Sequence, residues 1–236
     1  MRNHARVYPA IIVFPGSNCD QDIAFALHQG FGLKPLYLWH LEQSIPEHIT
    51  HILLPGGFSF GDYVRAGALA AHSPIMKAIG VFAQNRGRIL GICNGFQILC
   101  ESGLLPGVLL NNSQGKFVCS IEAVQWFGMS GKDDPVTLRL PIAHQEGRFF
   151  ATKEVLKNLM LSNSILLSYK NVDHFGNAAV NGSCASIAGL VSGPYKNILG
   201  MMPHPERAME REVLGEDGRI ILHDFLFGGC HEESKA

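Results

Sequence analysis

The segment Arg88-Ile89-Leu90-Gly91-Ile92-Cys93-Asn94-Gly95-Phe96-Gln97-Ile98-Leu99 constrains the fold more than any other stretch of the chain. Its first five residues form a short apolar run, the pattern of a strand covered on both faces, and the residues after Cys93 continue with helical apolar spacing. A strand that passes straight into a helix is half of a β-α-β unit, and such units build parallel sheets covered by helices. The first half of the chain repeats this alternation. Val7 to Phe14 is a continuous apolar run ended by Pro15-Gly16-Ser17-Asn18. Asn18 or Asp20 is placed to cap the following helix, in which Ile23, Ala26, Leu27 and Phe31 recur near helical spacing and which Gly30 and Gly32 stop. Leu36 to Trp39 and Ile52 to Leu54 read as short strands, and Leu69 to Phe82 as a helical pattern interrupted by Pro74.

Beyond residue 110 the alternation fails. Phe117 to Phe127, Pro135 to Ala143, Ile165 to Tyr169, Ala185 to Val191 and Ile198 to Met202 are strand-like, with one helix, Thr152 to Leu161, among them. Antiparallel strands are therefore expected to extend the sheet or pack over one end. Arg219 to Phe227 reads as a last helix and His231 to Ala236 as a frayed polar tail. The expectation is an α/β fold: a mostly parallel central sheet flanked by helices, with additional antiparallel strands, residues 1–236 forming one domain.

Composition removes several functional classes. Lys and Arg number 19 against 20 Asp and Glu, a balance that gives no electrostatic case for nucleic acid or a polyanionic surface. Cys19, Cys93, Cys100, Cys119, Cys184 and Cys230 lack C-x-x-C spacing, which speaks against a zinc ribbon and a dense disulfide scaffold. No signal-peptide pattern is seen, and no stretch reaches the roughly 18 apolar residues of a membrane span. A cytoplasmic location is expected. His48 and His51 sit at helical spacing without a third ligand, so no metal site is expected.

The strand-to-helix turn at Cys93 resembles the elbow that presents a nucleophile in G-x-S-x-G hydrolases, with sulfur in place of oxygen. Such a turn pushes its residue toward solvent, while Gly91 and Gly95 relieve crowding. The helix N-terminus favours a thiolate, and its free N–H groups suit an oxyanion. On this run alone, a packed core thiol is an equal reading. A nucleophile needs a base and the base an orienting group. Gly200-Met201-Met202-Pro203-His204-Pro205-Glu206-Arg207 supplies candidates for both, because in an extended segment His204 and Glu206 project to the same side. Pro55-Gly56-Gly57 closes a buried strand, where a parallel sheet binds ligands, so Gly57 is a candidate second oxyanion donor beside the Asn94 N–H. His144 follows a strand and precedes a glycine turn, as a pocket residue or as a loop histidine. Neither a Walker loop nor a G-x-G-x-x-G follows any strand.

Four separated motifs now carry a resemblance. Phe14-Pro15-Gly16-Ser17-Asn18-Cys19-Asp20, Gly56-Gly57-Phe58-Ser59-Phe60-Gly61-Asp62-Tyr63, Cys93-Asn94-Gly95-Phe96-Gln97-Ile98-Leu99 and the His204-Pro205-Glu206 segment resemble the class I glutamine amidotransferases. Within that class they look like the glutaminase subunits of phosphoribosylformylglycinamidine synthase. The resemblance implies a triad of Cys93, His204 and Glu206, an oxyanion hole at Gly57 and Asn94, and a glutamine pocket including Gln97 and His144. It further implies no cofactor in this chain, with ATP and Mg used by a large synthetase subunit that a small bridging subunit joins to the glutaminase. Two positions depart from the pattern: Gln145 stands where the family usually has glycine, and Ala66 where cysteine is frequent. A glutaminase subunit of another amidotransferase, a hydrolase acting alone and a non-catalytic interaction subunit stay open as alternatives.

Overall fold

The computed structural model describes residues 6–131 and 133–228; Cys230 and the expected frayed tail lie outside them. Strands β1 (Pro9–Val13), β2 (Leu36–Trp39), β3 (His51–Leu54) and β4 (Arg88–Ile92) alternate with α1 (Asp20–Phe31), α2 (Ala68–Ala71) and α3 (Ile75–Gln84). Helix α4 (Asn94–Glu101) follows β4 with only Cys93 between them. The rest comprises β5 (Val108–Leu110), β6 (Val118–Trp126), β7 (Val136–His144), β8 (Arg148–Phe150), α5 (Lys153–Leu161), β9 (Ile165–Tyr169), β10 (Ile187–Ser192), β11 (Ile198–Met201) and α6 (Gly218–Phe227).

One nine-stranded sheet runs in the order β2-β1-β3-β4-β11-β10-β9-β6-β7, and β5 pairs only with β8. From β2 to β11 every pairing is parallel; from β11 to β7 every pairing is antiparallel. The antiparallel strands thus extend the sheet, settling the alternative that sequence left open. The inner parallel strands are mostly apolar because they lie in the covered middle of the sheet, with Ile11, Ile52, Leu53, Leu90 and Leu199 wholly buried, whereas Leu36, Tyr37 and Trp39 of the edge strand β2 are exposed. Pro74 separates α2 from α3, as the pattern over Leu69 to Phe82 indicated.

Two local expectations need correction. Neither Asn18 nor Asp20 caps α1: Cys19 holds the N-cap position without a side-chain bond, and Asp20 is already helical. The Asn18 carboxamide oxygen instead accepts from the Cys19 thiol at 3.4 Å. The segment at Glu206 is not extended either, since Pro205–Arg207 closes into a 3-10 turn. Among the described residues no helix is long and apolar enough to cross a membrane.

Candidate active site

The carboxyl ends of β1, β3, β4 and β11 are adjacent in the sheet and release the chain at one edge, where a parallel sheet binds its ligands. Asn18 and Cys19 follow β1, Gly56 and Gly57 follow β3, Cys93 follows β4 and His204 follows β11. All of these but Gly56 line one cleft of about 390 Å³. Strand β7 reaches the same edge from the antiparallel half: the His204 N–H donates to the Pro141 carbonyl at 2.8 Å. The Cys93 thiol donates to the Ala143 carbonyl at 3.7 Å. Cys93 is consequently buried at the bottom of the cleft, 6% exposed, and not pushed to the surface as the elbow alone suggested.

The elbow itself is present. Cys93 has φ 51° and ψ −104°, a conformation that costs an L-residue on the order of 1–3 kcal/mol. It is pinned there by its N–H donating to the Met201 carbonyl at 2.7 Å and by its carbonyl accepting from the N–H groups of Phe96 and Gln97. Close packing fixes where the turn sits. A Cβ on Gly95 would lie 2.1 Å from the Leu54 carbonyl oxygen, so only glycine lets α4 start against β3. Gly56, which the sequence marked only as one of a glycine pair at the strand end, is the floor of the site. A Cβ there would lie 2.8 Å from His204 Cε1 and 3.5 Å from Cys93 Cβ, so an open face of Gly56 lies between imidazole and cysteine.

His204 Nδ1 and Glu206 Oε1 are 2.6 Å apart, both side chains almost fully buried. Burial alone would lower the imidazole pKa, but the Glu206 carboxylate and the Cys93 sulfur outweigh it and raise it. His204 Nε2 has no hydrogen-bond partner among the described residues. The backbone N–H groups of Gly57 and Asn94 are likewise without an internal acceptor, and Gly57 adopts φ 119°, which glycine alone takes readily.

The wall beside the thiol is a chain of buried amides. Asn94 accepts from the Ser59 N–H at 3.2 Å and donates to Gln97 at 3.0 Å and Asp62 at 3.3 Å; Gln97 donates onward to the Glu146 carbonyl at 2.7 Å. Gln97 lines the cleft, yet both ends of its amide are already engaged, so it shapes the wall. Burial and the neighbouring Glu146 charge push the Asp62 carboxyl up to about 6. His144 also lines the cleft, its Nδ1 3.1 Å from Asn112 Oδ1, and burial holds its pKa down near 4. Asn112, wholly internal to a loop, carried no motif that sequence could flag. Gln145 is exposed and avoids positive φ, so the glycine usual at that position is dispensable here. Ala66 donates its N–H to Glu146 Oε2 at 3.3 Å through the backbone, which any residue supplies. Cys19 is a second cleft thiol. Burial pushes it up to about 12 even though an Arg207 N–H donates to its sulfur at 2.9 Å, so Cys19 stays protonated.

Residues 6–215 match the CobB/CobQ-like glutamine amidotransferase domain. Among curated relatives, the phosphoribosylformylglycinamidine synthase subunit PurQ of Salinibacter ruber is 41% identical over 223 residues, 92% of this chain and 94% of that protein. The PurQ subunit of Chlorobium chlorochromatii is 46% identical over 225 residues, 92% of this chain and 94% of its own. Among solved structures, a chain from the structure of PurLQS of Thermotoga maritima superimposes with a TM-score of 0.81 at 38% identity, over 94% of this chain and 98% of the other. Identity of this extent, carried over nearly the whole length and joined to a matching fold, places the chain in the PurQ family, the glutamine amidotransferase subunits of phosphoribosylformylglycinamidine synthase.

Proposed function

We propose that Cys93, His204 and Glu206 release ammonia from glutamine through a γ-glutamyl thioester, as the glutaminase half of the synthase. Cys93 gives its thiol proton to His204 Nε2 as Sγ attacks the carboxamide carbon, and the N–H groups of Gly57 and Asn94 receive the developing oxyanion. His204 protonates the departing ammonia through Nε2, then takes a proton from the water that hydrolyses the thioester to glutamate. Glu206 accepts from Nδ1 and so holds the imidazole with Nε2 toward the sulfur. The single observation that carries this reading is the position of Cys93, strained at a strand-helix elbow, across the face of Gly56 from an imidazole buried against a carboxylate.

The ammonia is used elsewhere. The chain has no nucleotide-binding motif, and the Thermotoga maritima relative belongs to an assembly named PurLQS. By that likeness the partners are a large synthetase subunit, which uses ATP and Mg to convert formylglycinamide ribonucleotide into the amidine, and a small bridging subunit. The reaction takes place in the cytoplasm, and this chain needs no cofactor of its own.

A glutamine-mimicking diazoketone tests the assignment. It is expected to label Cys93, and Cys93→Ala is expected to abolish glutamine-dependent amidine formation by the reconstituted complex while ammonia-dependent formation survives. Unchanged glutamine use by Cys93→Ala would sink the reading. Rapid hydrolysis by the isolated chain, indifferent to the partners, would point to a hydrolase acting alone.

A further inference from the structure

We propose that the side chain of Asn94 sets the width of the oxyanion hole, by clipping the loop that carries one donor to the helix that carries the other. The inference rests on the glutaminase reading above, in which Asn94 acts only through its backbone N–H, and adds to it a positioning side chain.

The two donors belong to different elements. The Asn94 N–H opens α4, whereas the Gly57 N–H lies in the loop that follows β3. An oxyanion is stabilised only where both donors reach within about 3 Å of it, so the gap between loop and helix has to be held. The backbone of the loop is tied the other way. Phe58 and Phe60 donate to the carbonyls of Gly16 and Pro15, in the turn after β1. Phe60, Asp62 and Val64 all take positive φ, which costs an L-residue and lasts only where the surroundings enforce it. Among the described residues, the hydrogen bonds that join residues 57–62 to α4 both end on the Asn94 side chain.

The orientation of that amide is fixed by its neighbours. Gln97 Nε2 donates to the Glu146 carbonyl at 2.7 Å, so Gln97 Oε1 faces Asn94 and needs a donor there. Asn94 Nδ2 is that donor at 3.0 Å, and it also donates to Asp62 Oδ1 at 3.3 Å. Asn94 Oδ1 is thereby turned to the loop, where it accepts from the Ser59 N–H at 3.2 Å, two residues beyond the Gly57 donor. Asn94 is 1% exposed, so solvent does not replace a lost partner. An aspartate at this position would lack the donor and face both Asp62 and Gln97 Oε1, and an apolar side chain would leave the Ser59 N–H and the Asp62 carboxylate unpaired.

The test compares two reactions of the same sulfur in the reconstituted complex. Glutamine develops an oxyanion. Iodoacetamide alkylates Cys93 by direct displacement: the S–C bond forms as the C–I bond breaks, iodide leaves with the electron pair, and no carbonyl oxygen gains charge. Asn94→Ala retains the backbone N–H and loses the clip. Its kcat for glutamine is expected to fall at least about tenfold, because a displaced donor stabilises the transition state poorly. KM, and the alkylation rate of Cys93 followed by mass spectrometry of its peptide, are expected to stay within about threefold of the parent. Asp62→Ala removes one anchor while Asp62→Asn keeps an acceptor oxygen for Asn94, so kcat is expected to be at least about threefold lower in the first than in the second. This pair reads the clip should Asn94→Ala not fold. An unchanged kcat in Asn94→Ala, a rise in KM alone, or a parallel fall in alkylation would overturn the proposal and leave the glutaminase reading standing. An unsubstituted complex that is alkylated at Cys93 yet turns over no glutamine would overturn that reading, and the proposal with it.

Discussion

His204 and Glu206 lie two positions apart, and their meeting depends on how the chain bends between them. Pro205 begins a 3-10 turn, which brings both side chains to one side and puts Oε1 2.6 Å from Nδ1. The residue types and their separation were legible in the sequence; the bend was not, because a proline-bracketed segment satisfies an extended path equally well. The carboxylate has two effects, holding the ring and raising its pKa against burial. Glu206→Gln preserves shape and removes charge. Glutamine turnover is expected to fall by at least roughly a hundredfold, as when other catalytic imidazoles lose their carboxylate. With that charge gone only the Cys93 sulfur still works against burial, so the imidazole pKa drops and the protonated form needed by the leaving ammonia is lost at lower pH. The alkaline limb of the pH–rate profile should therefore move toward lower pH in the variant; a limb that stays in place would separate it from His204.

At the level of elements, apolar runs located almost every strand, because strands buried in the sheet interior keep polar residues to their ends. The arrangement of the antiparallel half was not legible. Nothing in Pro135 to Ala143 signals that β7 will bring Pro141 and Ala143 against His204 and Cys93, since those contacts join residues some sixty and fifty positions apart through backbone carbonyls that every residue has. The helix α4 shows the opposite case, where a single side chain encodes the packing. Gly95→Ala places a methyl 2.1 Å from the Leu54 carbonyl oxygen, which is backbone in a buried strand and has nowhere to go. The helix must shift off β3, at an expected cost of about 2 kcal/mol or more, and the elbow shifts with it. Gly80 lies inside α3, and a Cβ there meets nothing within 4 Å. Gly80→Ala is expected to stabilise by about 0.5–1 kcal/mol through the unfolded chain and through helix propensity. Urea denaturation of the two variants should give changes of opposite sign for the same chemical substitution; a Gly95→Ala chain as stable as the parent would show that α4 is not held by this contact.

Taken whole, the molecule concentrates chemistry at the carboxyl edge of its parallel strands and leaves the opposite edge to be held by packing. There β3 begins with His51, buried and edge-on to Phe225 of α6 with ring centroids 5.4 Å apart, while Arg88 at the start of β4 donates to the Phe225 carbonyl at 2.7 Å. Burial, and then the Arg88 charge, lower the His51 pKa from 6.5 to about 4. A histidine whose pKa is lower folded than unfolded is bound by more protons in the unfolded chain between those two values. Stability is then fully present above about 6.5, declines as pH falls through that window and levels off near 4. From pH 7 to pH 5 this one group should remove about 2 kcal/mol, with His144 adding a similar loss at the catalytic edge. His51→Leu places an apolar side chain against Phe225 and has nothing to protonate. Its unfolding free energy, measured by denaturant titration at pH 7 and pH 5, should fall by about 2 kcal/mol less over that interval than that of the parent chain. Glutamine turnover at pH 7 should hardly change, because His51 and the cleft stand at opposite ends of the same strand. Equal losses in the two proteins would mean that His51 takes up its proton at the same pH folded and unfolded, and that burial against Phe225 contributes nothing to acid sensitivity.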